Sequence, residues 1–400
     1  MVDLSDIQAA HQRIKDSVFR TPCTLSESLS HLTGCYLHLK LENLQMTGSF
    51  KERGSLNKIL QLDQAQREAG VITASAGNHA QGVAHAARLC GIQATIVMPE
   101  TTPLAKIRGT RELGAEIILH GSGYDQAYEK AQEIQRERNS TFIQAFNDEQ
   151  IIAGQGTIGL EIVEQLPDVD TVVVPVGGGG LISGIGTAIR ALRPETRIIG
   201  VEAERMPSMK ESIAANSVTL HRTANTLADG IAVARVGELT LPIAREVVSE
   251  IVTVSEEEIA NAIMVLLERE KTLAEGAGAV GLAALYNGHI RDVAGKNLVL
   301  VISGGNIDMT VLARILERGL ETDGRIARIR VIMQDKPGNI ATLATLVAGH
   351  QSNILQISQN RDVSEVQLEE TEIELLLETR GKAHVAEIVE SLIGHGFRVR

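Results

Sequence analysis

Residues 171–186 read TVVVPVGGGGLISGIG, a β-branched run that passes directly into four consecutive glycines and then into a helical pattern. A continuous apolar run suits a strand buried on both faces, and such strands belong to sheets covered by crossover helices. Glycine lets backbone N–H groups approach a ligand closely, and a helix start adds partial positive charge. Gly177, Gly178, Gly179 and Gly180, with Leu181, therefore read as an anion cup of the kind that takes a phosphate. A tight strand-to-helix turn accounts for one or two of these glycines without a ligand.

The same alternation runs from residue 36 to 320. Val/Ile/Leu-rich strands are expected at 36–41, 71–74, 94–98, 115–119, 171–176, 197–202, 250–254 and 298–302, with helices such as 78–89, 124–138 and 181–192 between them. The pattern is that of βα units over a largely parallel sheet, hence an α/β fold. Ser255 followed three residues later by Glu258 forms a capping box before the apolar positions Ile259, Ile263, Leu266 and Leu267. Past Gly319 a polar stretch leads into a βαββαβ order, which fits a small α+β ferredoxin-like module. The expected organisation is a catalytic part over 1–320 and a module over 325–400. Within the first, a large lobe covers about 1–70 and 146–320, and a small lobe about 71–145.

Charge narrows the partners. With 38 basic against 50 acidic residues the chain carries −12, the wrong field for a nucleic-acid backbone. Cys23, Cys35 and Cys90 are an odd set without a CxxC pair, which argues against disulfides or a zinc site. The first residues carry charges where a secretory signal has its apolar stretch, and no apolar run reaches the roughly 18 residues of a membrane span. A cytoplasmic protein with neither nucleic-acid nor membrane partners is expected.

Which phosphate the cup takes is open at this level. Glu202 ends the next strand about where a dinucleotide fold places its ribose-binding acid, so an NAD-dependent oxidoreductase competes. Against it, no G-x-G-x-x-G fits the loop, and no G-x-x-x-x-G-K-[ST] occurs anywhere. Two further strand ends carry small polar residues and glycine, 73–82 (TASAGNHAQG) and 303–306 (SGGN). Ligands in α/β sheets bind beyond the carboxyl ends of strands, so the three loops suggest one pocket. Lys51, in GSFKERG at 48–54, stands at a helix start, where the dipole disfavours a cation. A lysine, a phosphate cup and a serine-glycine loop together spell a Schiff base to pyridoxal 5′-phosphate, with burial freeing the amine as nucleophile and base.

SFKERG at 49–54, SAGNHAQG at 75–82, VGGGGL at 176–181, ADGIAV at 228–233 and SGGN at 303–306 follow the order and spacing of one family. The chain resembles the fold type II pyridoxal-phosphate enzymes, and within them the threonine ammonia-lyases, over nearly all of residues 1–320. The resemblance implies a two-lobed fold in which Lys51 carries the cofactor and Phe50 packs on its ring. It also implies that Asn78 meets the ring 3′-oxygen, Gly177 to Leu181 hold the phosphate, Gly230 passes close to the other ring face, and Ser303 meets the ring nitrogen. Ser75, Asn78 and His79 would bind the substrate carboxylate.

A serine at Ser303 cannot keep the pyridine nitrogen protonated as a carboxylate would. Prompt loss of a β-substituent is then favoured over a long-lived carbanion. The implied reaction is removal of the α-proton by Lys51 and elimination of the β-hydroxyl, with L-threonine giving 2-oxobutanoate and ammonia. L-Serine is a secondary substrate, and serine racemase or serine or 3-hydroxyaspartate dehydratase are the alternatives. Racemases of this fold carry a second serine where this chain has Ala76. Their metal site needs an Asp six residues after a Glu, whereas Glu202 is followed there by Ser208, so no metal is expected. Glu275 is followed by Gly276 where many relatives have proline. The C-terminal module is similar to ACT domains through DKPGN at 335–339 and Ser352-Asn353-Ile354. That likeness implies isoleucine or valine sensing around Gly338, Asn339 and Asn353, in a homodimer or homotetramer.

Overall fold

The structure is a computed structural model that describes residues 1–222, 224–361 and 366–400. The chain forms two compact units, Met1–Ile307 and Asp308–Arg400.

Among the described residues, the first unit holds ten strands: β1 (Cys23–Leu25), β2 (Tyr36–Lys40), β3 (Val71–Ala74), β4 (Ala94–Met98), β5 (Glu116–Leu119), β6 (Thr141–Phe142), β7 (Thr171–Pro175), β8 (Arg197–Ala203), β9 (Glu250–Val254) and β10 (Asn297–Val301). They make two sheets, β1-β2-β10-β7-β8-β9 and β5-β4-β3-β6. All neighbours pair in parallel except β1, which runs antiparallel to β2 at an edge. The fold is thus two-lobed and α/β, as the alternating pattern predicts. The strands that read as continuous apolar runs, β3, β4 and β7, are buried along their whole length. β1 and β6, absent from the expected set, are too short to show any periodicity.

Strand order decides which loops meet. β2, β10 and β7 are adjacent and parallel, so the segments leaving their carboxyl ends lie side by side. Those segments lead to Lys51, to Ser303 and to Gly177 respectively. The loop after β3, with Ser75 and Asn78, leaves the small sheet in the same way.

Five helices frame this edge: α1 (Lys51–Ile59), α2 (Asn78–Leu89), α3 (Glu149–Gln165), α4 (Gly180–Leu192) and α5 (Gly276–Tyr286). The central one, α3, is buried without a break from Ile151 to Ile162. It approaches α1 and α4 so closely that only glycine fits at the crossings. A Cβ on Gly184 would lie 2.3 Å from the Ile152 carbonyl oxygen, and one on Gly154 would lie 2.6 Å from Gly54 Cα. Ser255 and Glu258 form the expected reciprocal cap.

The second unit contains α6 (Met309–Thr322), β11 (Ile326–Gln334), α7 (Asn339–Gly349), β12 (Asn353–Asn360), β13 (Glu370–Glu378), α8 (Lys382–Gly394) and β14 (Arg398–Val399). Its antiparallel sheet has the order β12-β13-β11-β14. From β11 onward this is the βαββαβ arrangement of a ferredoxin-like fold. Its core includes Ile329, Val331, Leu343, Ile373, Leu375 and Ile388. The helix α6 packs with β11 in this unit, although sequence places residues up to 320 with the catalytic part.

Glycine in a helix interior ordinarily costs stability, so replacing one with alanine tests whether space or entropy governs the position. Gly184→Ala is expected to lose about 3 kcal/mol by overpacking α3 against α4. Gly109→Ala, on a helix with open space around that position, should gain about 0.5–1 kcal/mol. Thermal unfolding of the two variants beside the parent checks both signs.

Candidate active site

α1 begins at Lys51 without a side-chain cap. Its first turn is tied to the loop after β10 through Phe50 N–H, which donates to the Ser303 carbonyl at 3.1 Å, and through a bridge between Ser49 and Gly304. Gly48 turns the chain into this approach with φ +74°. The Lys51 amine donates to the Ala145 carbonyl at 3.1 Å and lies 5.1 Å from the centre of the Phe50 ring. Burial pulls it down to about 8, against the opposing pull of the Glu275 charge. Phe50, Lys51 and Ser303, expected at one site, thus lie close together.

Two residues beyond Lys51, Arg53 points into the protein. Its Nε donates to Glu42 Oε2 at 2.8 Å, and its Nη atoms reach Glu42 Oε1 at 2.8 Å and Glu161 at 2.6 and 3.0 Å. Lys40 Nζ donates to Glu161 Oε2 at 2.5 Å and to the Thr21 carbonyl at 2.7 Å. All four side chains are buried. Burial alone would raise the Glu161 carboxyl, but Arg53 and Lys40 outweigh it and hold it low. Sequence did not reveal this cluster, because charged residues usually mark surface.

Beyond β7, Gly178 O accepts from Gly237 N–H and from Thr240 Oγ1, the latter at 2.6 Å. Among the described residues, the amides of Gly177 to Leu181 have no protein acceptor. A row of free N–H groups at the start of a well-formed helix suits a phosphate. The glycines also answer to packing. A Cβ on Gly178 would lie 2.4 Å from the Phe146 ring, and one on Gly177 would lie 2.9 Å from Ile231 Cα. Since Ala145 accepts from Lys51 and Phe146 abuts Gly178 and Gly180, this dipeptide joins the lysine to the cup.

The small lobe contributes the start of α2. Asn78 Nδ2 donates to Glu275 Oε1 at 2.6 Å, and its Oδ1 accepts from Asn306 Nδ2 at 2.7 Å. Ser75 Oγ accepts from Gly77 N–H at 3.3 Å. His79, expected to join Ser75 and Asn78 at a substrate carboxylate, is turned to the Ile143 carbonyl at 2.9 Å through Nε2. A ring nitrogen facing a carbonyl is a donor, so that atom is committed. Burial and then the Lys51 charge push the imidazole down to about 3. Gly230 lies in a short 3₁₀ turn, Asp229–Ile231, where a Cβ would come within 3.3 Å of Glu275 Oε1.

Glu275 itself is the residue that sequence undervalues. It is buried, precedes the wholly apolar helix α5, and touches Asn78. A lone acid before an uninterrupted apolar helix is the signal that could have found it. Glu202, the candidate ribose acid, instead caps the helix Ser208–Ala215, accepting from the Met209 and Lys210 amides at 2.7 and 2.9 Å. This removes the observation on which the nicotinamide reading rested. In the second unit, Gly338 precedes α7, Asn339 Nδ2 donates to the Gln334 carbonyl, and Asn353 Nδ2 donates to Glu378. Gln334 pairs with Glu370 and Glu378 with Ile326, so Asn339 and Asn353 stand at opposite ends of the sheet.

A desolvated lysine beside a free-amide cup, under two lobes of parallel sheet, defines an enzyme that holds a phosphorylated carbonyl cofactor on an amine. The chain belongs to the pyridoxal-phosphate dependent enzyme family, whose sequence profile it matches over residues 14–304. It is 51 % identical over 400 residues to an L-threonine ammonia-lyase of Thermotoga maritima, covering all of this chain and 99 % of that one. Among solved structures, the processed form of threonine deaminase isoform 2 from Solanum lycopersicum superposes with a TM-score of 0.76 at 39 % identity, covering 78 % of this chain and 91 % of the other. Maize serine racemase reaches 0.75 at 36 %, covering 80 % and 98 %.

Removing one partner of a buried ionic cluster strands the others, at a cost of about 3–5 kcal/mol. Arg53→Ala should therefore lower stability by that amount and loosen Lys51 at the same time. Chemical denaturation, with pyridoxal-phosphate content measured on the folded fraction, checks both effects.

Proposed function

We propose that the protein converts L-threonine to 2-oxobutanoate and ammonia. The observation that carries this reading is the Lys51 amine, lowered to about 8 and set between the glycine cup and the Asn78 loop, in a chain alike from end to end to an L-threonine ammonia-lyase. Pyridoxal phosphate, when bound, supplies a carbonyl that joins to amines and a ring that draws electrons from the α-carbon.

The chain's own residues do the rest. The amides of Gly177 to Leu181 would hold the phosphate, Phe50 the ring face, Asn78 the ring oxygen and Ser303 the ring nitrogen. Gly230 leaves room on the side facing Glu275. Ser75 and backbone N–H groups of the 75–79 loop would bind the substrate carboxylate, with His79 bracing the loop through Ile143. Lys51 Nζ, unprotonated above about pH 8, takes the α-proton. Loss of the β-hydroxyl follows, and hydrolysis of the product releases ammonia.

L-Serine giving pyruvate is the second reaction. The ferredoxin-like unit acts as an ACT-type sensor of isoleucine or valine, and Gly338, Asn339 and Asn353 form the effector site. Since Asn339 and Asn353 lie at opposite ends of one sheet, a complete site needs residues from two copies, which supports a homodimer or homotetramer. A cytoplasmic role in isoleucine formation or threonine breakdown accords with this reading. No helix among the described residues is long and apolar enough to cross a membrane.

Turnover of L-threonine, L-serine and 3-hydroxyaspartate, each followed by keto-acid and ammonia release, tests the assignment. Threonine is expected to give the highest kcat/KM, and Lys51→Ala to lose at least about 10³-fold with all three. A faster rate with 3-hydroxyaspartate would overturn it. Added isoleucine should make threonine kinetics sigmoidal; hyperbolic, unaltered kinetics would remove the regulatory part.

A further inference from the structure

Amide orientation at this site is dictated from one end. The Thr47 carbonyl can only accept, so the Asn306 group 2.8 Å from it is the NH₂. The same NH₂ lies 2.7 Å from Asn78, which must therefore present its oxygen. Asn78 consequently turns its own NH₂ to Glu275, 2.6 Å away. Of the two N–H bonds on that nitrogen, one is held by Glu275 and the other is left for the site.

The protein makes room for this contact. A Cβ on Gly304 would lie 2.5 Å from Glu275 Oε1 and 3.1 Å from Asn78 Nδ2, and one on Gly230 would lie 3.3 Å from the same carboxylate oxygen. Two glycines from separate segments thus flank one carboxylate. The contact also joins the lobes, since Asn78 opens α2 beside the small sheet while Glu275 precedes α5 of the large one. A second cross-lobe link, Lys106 to Asp229 at 3.1 Å, lies next to it.

We propose that Glu275 is the positioning residue that orients Asn78 toward the cofactor, and that its ionised form tightens the hold of the small lobe on that cofactor. The proposal rests on the family's cofactor and not on threonine as substrate. A carboxylate accepts the Asn78 N–H as a charge-assisted bond about twice as strong as the neutral one. The groups facing Glu275 are Asp229, Lys106, Lys51 and Asn78. Burial and then the Asp229 charge raise its carboxyl to about 7, while the Asn78 bond, Lys106 and Lys51 pull the other way. The neutral form therefore dominates below that pH, and the charge-assisted contact develops as pH rises through it.

The test is titration of apo-protein with pyridoxal 5′-phosphate, reading the visible absorbance of the lysine-bound cofactor from about pH 6 to about pH 9, a range spanning both titrations. Wild type should bind more tightly as pH rises through 7. Glu275→Gln keeps an acceptor for Asn78 without a charge, so it should bind like wild type at pH 6 and fail to tighten in step above 7. In Glu275→Gln the Lys51 amine loses the charge that opposes its lowering, which by itself would ease uptake of the cofactor, so weaker tightening in the variant runs against that effect. Glu275→Ala and Asn78→Ala should each weaken binding about tenfold, and the double variant should be no weaker than either single one.

Parallel pH curves for wild type and Glu275→Gln, or additive losses in the cycle, would overturn the proposal. Should Glu275→Ala not fold, the pH comparison with Glu275→Gln decides alone. A wild-type protein that takes up no pyridoxal phosphate would sink the cofactor reading itself, which is a distinguishable outcome.

Discussion

The buried fork of Arg53 between Glu42 and Glu161 is the interaction on which the rest of the site depends. Charges removed from water persist only when paired in good geometry, and a guanidinium in a planar fork accepts few alternative placements. Glu42 follows β2, Glu161 rides on α3, and Lys40, at the end of β2, braces Glu161 from the other side. The end of β2 with the turn after it, and the distant helix α3, are thereby fixed against α1. Residues two apart on a helix point roughly 200° away from each other. Driving Arg53 inward thus turns Lys51 toward the cofactor edge, with no cap or local propensity required.

This explains which parts of the site sequence can reveal. Glycine loops and a lysine after Phe50 are local signals, readable in a few consecutive residues. Their meeting is not local, because it follows from β2, β10 and β7 being neighbours although β10 comes last in the chain. Spacing and order of motifs stood in for that knowledge through family resemblance. Arg53, Glu42 and Glu161 escaped notice for a different reason. Nothing nearby in the chain marks them as interior, and Arg53 and Glu161 are 108 residues apart. Glu275 was visible only as a departure from relatives, and its role depends on Asn78, 197 residues away. His79, expected at the substrate carboxylate, shows a further demand the chain does not advertise locally: its Nε2 is taken by the Ile143 backbone carbonyl, 64 residues away.

The glycine run after β7 carries two demands that sequence cannot separate. Gly179 adopts φ +96°, and side chains at Gly177, Gly178 and Gly180 would strike Ile231 or Phe146. Absence of side chains is therefore explained by the protein's own packing. What points to a ligand is the free row of N–H groups, together with the carbonyl of Gly178 turned aside to Thr240. The same distinction applies at Gly304 and Gly230, where the space is filled by a carboxylate and no ligand need be invoked.

One environment shapes all the titrating groups here. Desolvation disfavours charge of either sign, so it lowers Lys51 to about 8 and His79 to about 3 while raising Glu275 to about 7. His79 drops out of proton traffic and becomes a fixed donor. Burial thus draws the Lys51 amine and the Glu275 carboxyl toward one another from opposite ends of the scale. A substrate amine reaching this site must shed a proton before it can displace the lysine, and the lysine must later hold one. The desolvation that builds a pocket for a flat ring thus also favours the neutral form of each of these three groups.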